Sequence, residues 1–530
     1  KMFFPNKKNY LQGNLNFTLP CHLNYGKCFL DKIFEYKDKD AMIDGVTGEK
    51  LTFNEMARKI MRISTSLTQL GVKQGDVIGI CSENRIEFIP TLMGVLCAGG
   101  VATFFNPSYS KDEIIHVVGL SKPKLVILSP NAYRTQYSIL KSLNIIEHFF
   151  VYGSENSRDV VLFSELDNES IAIENFEAVH FYGKTNRALI LYSSGTTGVP
   201  KGVNVTHVNW ITTIYQHPYT VKPLTMLSVA PFTNTMGCAV VVYELFQGKT
   251  VVFLSKFDED FYLRTMARYK VLVAPSILVI LSKSTAVNKY DIRSLELLVS
   301  GGAPLESETI TEFKKRFPNV QHVLQVYGMT EVIATISKEN ANFHKQGSVG
   351  KLGTGAIVKI VDPKTKNIVG PNQPGEVCVA GSVVFDGYIG VDQDIDNEGF
   401  FKTGDIAYYD EDGFLFIIDR VKELIKYKAW QVPPSELEAL MLQHPCVKDA
   451  AVVGLPDKLA GELPTGFVVK KPNTMVTEKD IVEFVSSKVS PWKRLRGGVR
   501  FVDDIPKNPS GKILRRILRQ RLATPILSKL

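Results

Sequence analysis

The chain has little of what marks several protein classes. Its seven cysteines, Cys21, Cys28, Cys81, Cys97, Cys238, Cys378 and Cys446, are scattered through 530 residues. Their number is odd and no pair has metal-ligand or redox spacing. This argues against a disulfide-stapled scaffold and a zinc module, and leads us to expect reduced, buried thiols in an intracellular protein. Long apolar runs are missing as well. The most apolar stretch of the front third, Thr91 to Phe105, is broken by Gly94, Gly99 and Gly100 and falls short of the ~18 residues of a membrane span. The opening residues, Lys1 to Lys8, lack the apolar core of a signal peptide. No period of about 20–50 residues recurs, which argues against solenoids and propellers. Charge of one sign is scarce too. Lys and Arg number 62 against 54 Asp and Glu, a net +8 that does not indicate a nucleic-acid surface over such a length.

What is present is ordinary globular material, 45% hydrophobic and 22% charged. At about 150 residues per unit, the length suggests roughly three or four structural units. Short apolar runs alternate with helical patterns through the first 330 residues. Lys124–Ser129, Leu189–Tyr192, Thr225–Ala230, Val251–Leu254 and Leu297–Ser300 each end at Pro, Gly, Ser or Lys. Continuous apolar runs between helices predict parallel strands covered on both faces, an α/β architecture. From Gly347 to Ile418, runs such as Ala356–Val361 and Gly375–Ala380 lie between Gly, Pro and Asp turns, and predict a small β-rich unit. Beyond Lys422 a self-contained module follows. Ser435 with Glu438 predicts a capping box, Pro445 the end of that helix, Ala450–Gly454 a strand, and Thr477 the cap of a further helix. A last basic helix is expected to start near Gly511.

The most informative segment is Tyr192-Ser193-Ser194-Gly195-Thr196-Thr197-Gly198-Val199-Pro200-Lys201-Gly202, directly after a predicted strand. Its glycines let the backbone turn tightly and present N–H groups to an anion. Four hydroxyls, Ser193, Ser194, Thr196 and Thr197, add donors, and Lys201 adds a positive charge. A phosphate-binding loop is expected. It is not a Walker A loop, because the lysine follows Val199-Pro200, and no G-x-G-x-x-G opens a helix after a strand.

This loop resembles the signature of the adenylate-forming (ANL) ligases, the superfamily of acyl-CoA synthetases, 4-coumarate–CoA ligases and insect luciferases. Further motifs follow in that family's order: Ser300-Gly301-Gly302-Ala303-Pro304, Tyr327-Gly328-Met329-Thr330-Glu331, Thr403-Gly404-Asp405, Ile418-Asp419-Arg420 and Pro506 to Lys512. The resemblance spans about residue 40 to the end. Ile425–Val432 and Leu495–Val499 are similar to the insect luciferase branch, whereas the first 30 residues are not.

The resemblance implies two α/β subdomains to about residue 335 and a small β-barrel over about 345–419. Together these make an N-terminal domain over 1–419. A hinge at 420–422 about Lys422 and a small, mobile α+β C-terminal lid over 423–530 complete the chain. It implies ATP-dependent activation of a fatty or aromatic carboxylic acid to an acyl-adenylate, with release of pyrophosphate, then transfer to coenzyme A. The alternative is a luciferase, in which O2 attacks the adenylate carbanion of a luciferin and light is released. Besides the loop residues, Gly301, Gly302, Ala303 and Pro304 would line the adenine, with Gln325, Tyr327, Gly328 and Met329 completing the nucleotide site. Thr330 would donate to phosphate, Glu331 would hold Mg2+, Asp405 would accept the ribose hydroxyls and Arg420 would lie near the ribose. Lys512 would bridge carboxylate and phosphate during adenylation, and Lys426 would serve the second step after rotation about the hinge. A monomer is expected.

The acid pocket is expected at Phe232, Asn234, Met236, Ala334 and Thr335, and here the chain departs from the family. Relatives carry one or two histidines after the Phe; this chain has Thr233 and Asn234. A neutral amide can hydrogen-bond a carboxylate but supplies no charge near neutral pH. Lys428-Ala429-Trp430 replaces a glycine and a smaller aromatic beside the thiol route. The closing Ser528-Lys529-Leu530 matches a peroxisomal address read by an import receptor, so a peroxisomal location is expected.

Overall fold

The structure is a computed structural model. It describes residues 8–15, 18–20, 22–153, 160–183, 185–193, 200–216, 225–271, 273–275, 278, 281, 284–302, 305, 307–391, 395–420, 423–427, 430–457, 460–489, 491–507 and 512–523. Ser194, Gly195, Thr196, Thr197, Gly198, Ala303, Pro304, Lys422, Lys428, Ala429 and the Ser528-Lys529-Leu530 tripeptide lie outside the described residues, as does the side chain of Ala334.

The predicted apolar runs all become strands. A seven-stranded sheet runs in the order Lys201–Thr206, Arg187–Ser193, Val101–Phe105, Val77–Cys81, Leu125–Leu128, His148–Val151, Val161–Leu162. It is parallel except for its first pair. A nine-stranded sheet runs Lys351–Leu352, Val332–Lys338, His322–Met329, Leu297–Gly301, Val273–Pro275, Met226–Ser228, Val251–Phe253, Asp40–Asp44, Lys50–Thr52. Its middle is parallel and both its ends are antiparallel. Helices cover the faces. Phe53–Gln69 begins at a Thr52–Glu55 capping box and packs on the wholly buried helix Phe88–Cys97. That burial explains Thr91 to Phe105: the apolar stretch is a core helix and a central strand.

The expected barrel takes the form of a five-stranded antiparallel sheet: Tyr10–Gln12, Ala356–Val361, Gly375–Gly381, Phe401–Tyr409, Leu415–Arg420. Its first strand comes from the chain's beginning, which sequence periodicity did not announce. The C-terminal domain is a twisted sheet built on the long hairpin Val447–Asp457 and Gly461–Lys470, with its own apolar core. Among the described residues no helix is long and apolar enough to cross a membrane, and the described cysteines are free.

Two local expectations are corrected. Ser435 does not cap its helix: Pro434–Leu442 starts after Pro433 with no side-chain cap. The Ser435 hydroxyl instead donates to the Ile418 carbonyl (3.1 Å) and Asp419 Oδ2 (2.8 Å) across the domain junction. Glu438 accepts from the Val452 N–H (2.7 Å) and Arg515 (2.9 Å). Tertiary donors outcompete the local box. The last helix spans Arg515–Ala523, several residues later than expected.

One buried histidine belongs to the scaffold. His207 opens helix His207–Ile214 at 1% exposure, and its Nδ1 accepts the Tyr25 N–H at 3.0 Å. Tyr25 stacks on Trp210 at 4.9 Å, locking this helix to Tyr25–Ile33. Burial pushes the imidazole down from 6.5 to about 3. The unfolded chain therefore binds a proton that the fold refuses, so stability present above pH 6.5 is lost as pH falls toward about 3. Urea unfolding at stepped pH should show a shallower loss over that window in His207→Gln than in the native chain.

Candidate active site

The site gathers where strands of the two large sheets end, the usual place for ligands in open α/β sheets. Gly302 follows strand Leu297–Gly301, Thr330 follows His322–Met329, and Pro231 to Asn234 follow Met226–Ser228. A cavity of about 780 Å³ opens there. Gly302, Gly328, Met329 and Thr330 line it, as do Asn234, Met236 and Thr335. From the C-terminal domain Lys507, Lys512, Ile513 and Arg515 close it.

Gly302 has φ +84° and, among the described residues, no atom within 4 Å of where a Cβ would stand, so it offers bare backbone to the cavity. A Cβ on Gly301 would come within 2.5 Å of Val326 and 3.2 Å of Met236 Cε. A flat ring against backbone is what this pair admits.

Asp405, in strand Phe401–Tyr409, is 5% exposed. Its Oδ2 accepts the Tyr327 hydroxyl at 2.7 Å, and its Oδ1 lies 3.1 Å from Arg420 Nε. Burial raises its pKa, while Arg420, the Tyr327 hydroxyl and the more distant Lys512 oppose the rise. Lys512 has its own pKa lowered, first by burial and then by the charge of Arg420. Tyr327, Asp405, Arg420 and Lys512 thus form one electrostatic unit drawn from two sheets and two domains.

Glu331 is buried, and its Oε1 accepts the Tyr388 hydroxyl at 2.8 Å. Lys201 Nζ lies 4.8 Å from the centre of the Tyr388 ring, a cation–π contact. Tyr388 therefore joins the phosphate-loop lysine to the carboxylate expected to bind metal. Sequence reasoning missed it, although an aromatic flanked by Gly387 and Gly390 between strands was a usable signal. Segment 382–389 is clamped in place. Asn209 donates to the carbonyls of Ser382 (2.9 Å) and Val384 (2.7 Å), the Phe385 N–H to Glu331 (2.9 Å) and the Ile389 N–H to Gly202 (2.8 Å).

The donor set fits a magnesium nucleotide. Among the described residues no group of three or more His, Cys, Asp or Glu could hold an ion. Mg2+ commonly takes one or two protein carboxylates and leaves the rest to phosphates and water, which suits Glu331. Ser193 Oγ, at the start of the phosphate loop, is buried with no hydrogen-bond partner among the described residues and can serve an incoming anion.

Two expected site residues fall elsewhere, and Lys426, expected to enter only after rotation about the hinge, also stands off the cavity. Phe232 is 1% exposed and packs on Phe88 and Phe253 at 5.6 and 5.7 Å, so it is core beneath the pocket. The Gln325 amide donates to the Ser348 carbonyl at 3.0 Å, which holds the strand and not the cavity. Lys426 is exposed on strand Ile425–Tyr427, whose alternation buries its two neighbours. It is not at the cavity. The chain also brings Gln216, Tyr243 and Lys338 to the wall, none of them anticipated.

Fold and site together define an adenylate-forming enzyme: a large domain with a nucleotide-sized cradle and a small domain closing over it. The chain belongs to the AMP-binding enzyme family, matching it over residues 29–389 and its C-terminal domain over residues 436–512. A luciferin 4-monooxygenase from Nipponoluciola cruciata is 39% identical over 509 residues, covering 92% of each chain. A 4-coumarate–CoA ligase from Vanilla planifolia is 36% identical over 538 residues, covering 96% of this chain and 95% of that one. ATP-bound MatB from Rhodopseudomonas palustris has a TM-score of 0.83 at 26% identity, over 94% of this chain and 99% of that one.

Tyr327→Phe removes a donor that favours the ionised form of Asp405. The variant should raise KM for ATP by roughly tenfold, the worth of one hydrogen bond to a charged group. The acid limb of its pH–rate profile should move to higher pH, because the Asp405 carboxyl loses a group that lowers its pKa. Steady-state kinetics over a pH series checks both.

Proposed function

We propose that the protein activates a fatty or aromatic carboxylic acid with ATP and passes the acyl group to coenzyme A. In the first step a carboxylate oxygen attacks the α-phosphorus of ATP, the bond to pyrophosphate breaks, and an acyl-adenylate forms. In the second, the thiol sulfur attacks the acyl carbon, AMP leaves with the electrons of the carbon–oxygen bond, and the thiol proton passes to solvent. The observation that carries this reading is Lys512: a lysine of the small domain lines the same cavity as Gly302 and Thr330 of the large one. The first step concentrates negative charge, and preorganised cations and N–H donors stabilise such transition states.

In this reading Gly301 and Gly302 receive the adenine and Tyr327 lies beside it. Asp405 accepts the ribose hydroxyls with Arg420 adjacent, and Thr330 and Lys201 serve the phosphates. Mg2+ bound at Glu331 supplies charge neutralisation. Lys512 sits between carboxylate and phosphate. Lys426, outside the cavity here, is assigned to thioester formation after rotation about Lys422. Peroxisomal import through Ser528-Lys529-Leu530 is proposed on that tripeptide alone.

A luminous reaction is the second reading, favoured by the 39% identity to a luciferin 4-monooxygenase. It shares the adenylation step and differs in using O2 on the adenylate. ATP–pyrophosphate exchange over fatty, aromatic and luciferin-like acids, followed with coenzyme A and separately with O2 under a photon counter, divides the two. Lys512→Ala should lower exchange by about 100- to 1000-fold with an unchanged circular dichroism spectrum. Near-native exchange in that variant would overturn the assignment.

A further inference from the structure

The turn that carries Asn234 into the cavity is held from outside the sheet it belongs to. Asn84 follows Val77–Cys81, the central strand of the seven-stranded sheet, and is 3% exposed. Its amide donates to the carbonyls of Ala230 and Leu254, each at 3.0 Å, and its side-chain oxygen accepts the Phe232 N–H at 2.6 Å. Ala230 and Phe232 follow strand Met226–Ser228, and Leu254 follows Val251–Phe253, its parallel neighbour in the nine-stranded sheet. One side chain thus commits both N–H donors and its acceptor to the ends of two strands in the other large sheet. Buried backbone groups that leave a ladder need such partners.

The grip on Phe232 is doubled, because its ring packs at 5.6 Å on Phe88, which opens helix Phe88–Cys97 just after Asn84. The segment bearing Asn84 is itself tied down. The Ser129 hydroxyl donates to Glu83 at 2.7 Å, and Arg85 pairs with Glu87 at 2.7 Å while lying 4.3 Å from the centre of the Tyr152 ring. From Phe232 the chain turns at once. The Asn234 N–H donates to the Pro231 carbonyl at 2.9 Å, and helix Thr235–Phe246 then begins with no side-chain cap among the described residues. Room at the turn is minimal: a Cβ on Gly237 would stand 2.1 Å from the Pro231 oxygen and 3.0 Å from that of Ala230. Asn234, Thr235 and Met236 go on to line the cavity. The start of this helix takes its place from the turn behind it, and the turn takes its place from Asn84.

We propose that Asn84 is a positioning residue for the acid substrate: it orders the turn from Ala230 to Asn234, and with it Asn234, Thr235 and Met236, before the acid arrives. The proposal rests on the acid-activating reading above and adds to it the residue that preorganises this part of the wall. The three hydrogen bonds of Asn84 end on Ala230, Phe232 and Leu254, not on Gly301, Gly302, Thr330 or Asp405. Nucleotide recognition therefore stands apart from it. A wall that the acid must order on binding holds it less tightly than one ordered beforehand.

The test is ATP–pyrophosphate exchange with an acid that the native enzyme activates, varying acid and ATP separately. Asn84→Asp keeps the size and the acceptor but loses both N–H donors. Its KM for the acid should rise about 10- to 100-fold, the worth of two hydrogen bonds, while its KM for ATP stays within about twofold of the native value. Gly237→Ala presses on the Pro231 carbonyl from the helix side and should give the same split, which keeps the turn testable if Asn84→Asp does not fold. Equal rises in both KM values, or native KM values with a lowered kcat, mark a merely structural role and overturn the proposal. No exchange with any acid in the native enzyme refutes the functional reading instead, and amide hydrogen exchange then decides for Asn84. In Asn84→Asp the amides from Phe232 to Cys238 should exchange about tenfold faster while those from Gln325 to Met329 keep their native rates. Unchanged rates in the first segment, or faster rates in both, count against the proposal.

Discussion

A carboxylate kept out of water holds the functional architecture together. Asp405 belongs to the antiparallel sheet, its Tyr327 donor to the nine-stranded sheet, its Arg420 partner to the domain junction, and Lys512 to the closing domain. A carboxylate so buried is tolerated only with donors and cations around it. Each of these groups therefore fixes the others. Lys512 of the small domain and Asp405 of the large one thus act on each other's charge state.

The second organising element is backbone. Segment 382–389 is tied by Asn209 to the helix that follows the phosphate hairpin, by Ile389 to Gly202 in that hairpin, and by Phe385 to Glu331. Tyr388 then spans Lys201 and Glu331. A lysine and a carboxylate are held at a set spacing by an aromatic ring between them. Neither side chain has to find its place when charge arrives, which is the advantage of a preorganised site.

Much of this was legible in the sequence, and the exceptions share a cause. Parallel strands covered on both faces leave unbroken apolar runs, so Leu125–Leu128 and Leu297–Gly301 stood out. The loop from Ser193 to Lys201 stood out because a phosphate cradle is expected to need glycines, hydroxyls and a lysine close together, although Ser194 to Gly198 lie outside the described residues. Ser435 and Glu438 misled because a capping box is a local pattern, whereas their real partners lie 16, 14 and 77 residues away. Phe232 misled because adjacency to Asn234 says nothing about which way a side chain turns at a strand's end. Lys338 went unnoticed because a lysine closing an apolar strand ordinarily marks the point where the chain returns to water. Here the strand's end stays buried, with helix Thr235–Phe246 packed against the strand.

The strand Tyr10–Gln12 has a consequence for how the molecule is made. It pairs with Ile357 to Lys359, some 350 residues further along the chain. During synthesis those first residues emerge early and wait through the completion of both large sheets before their partner exists. Contacts of such long range form late and slowly. Meanwhile Ala356–Val361, buried on almost every residue, presents a bare edge of the kind that pairs with other chains. The three residues that seal it are therefore a late closure against aggregation, as well as the first strand of a sheet whose far side carries Asp405.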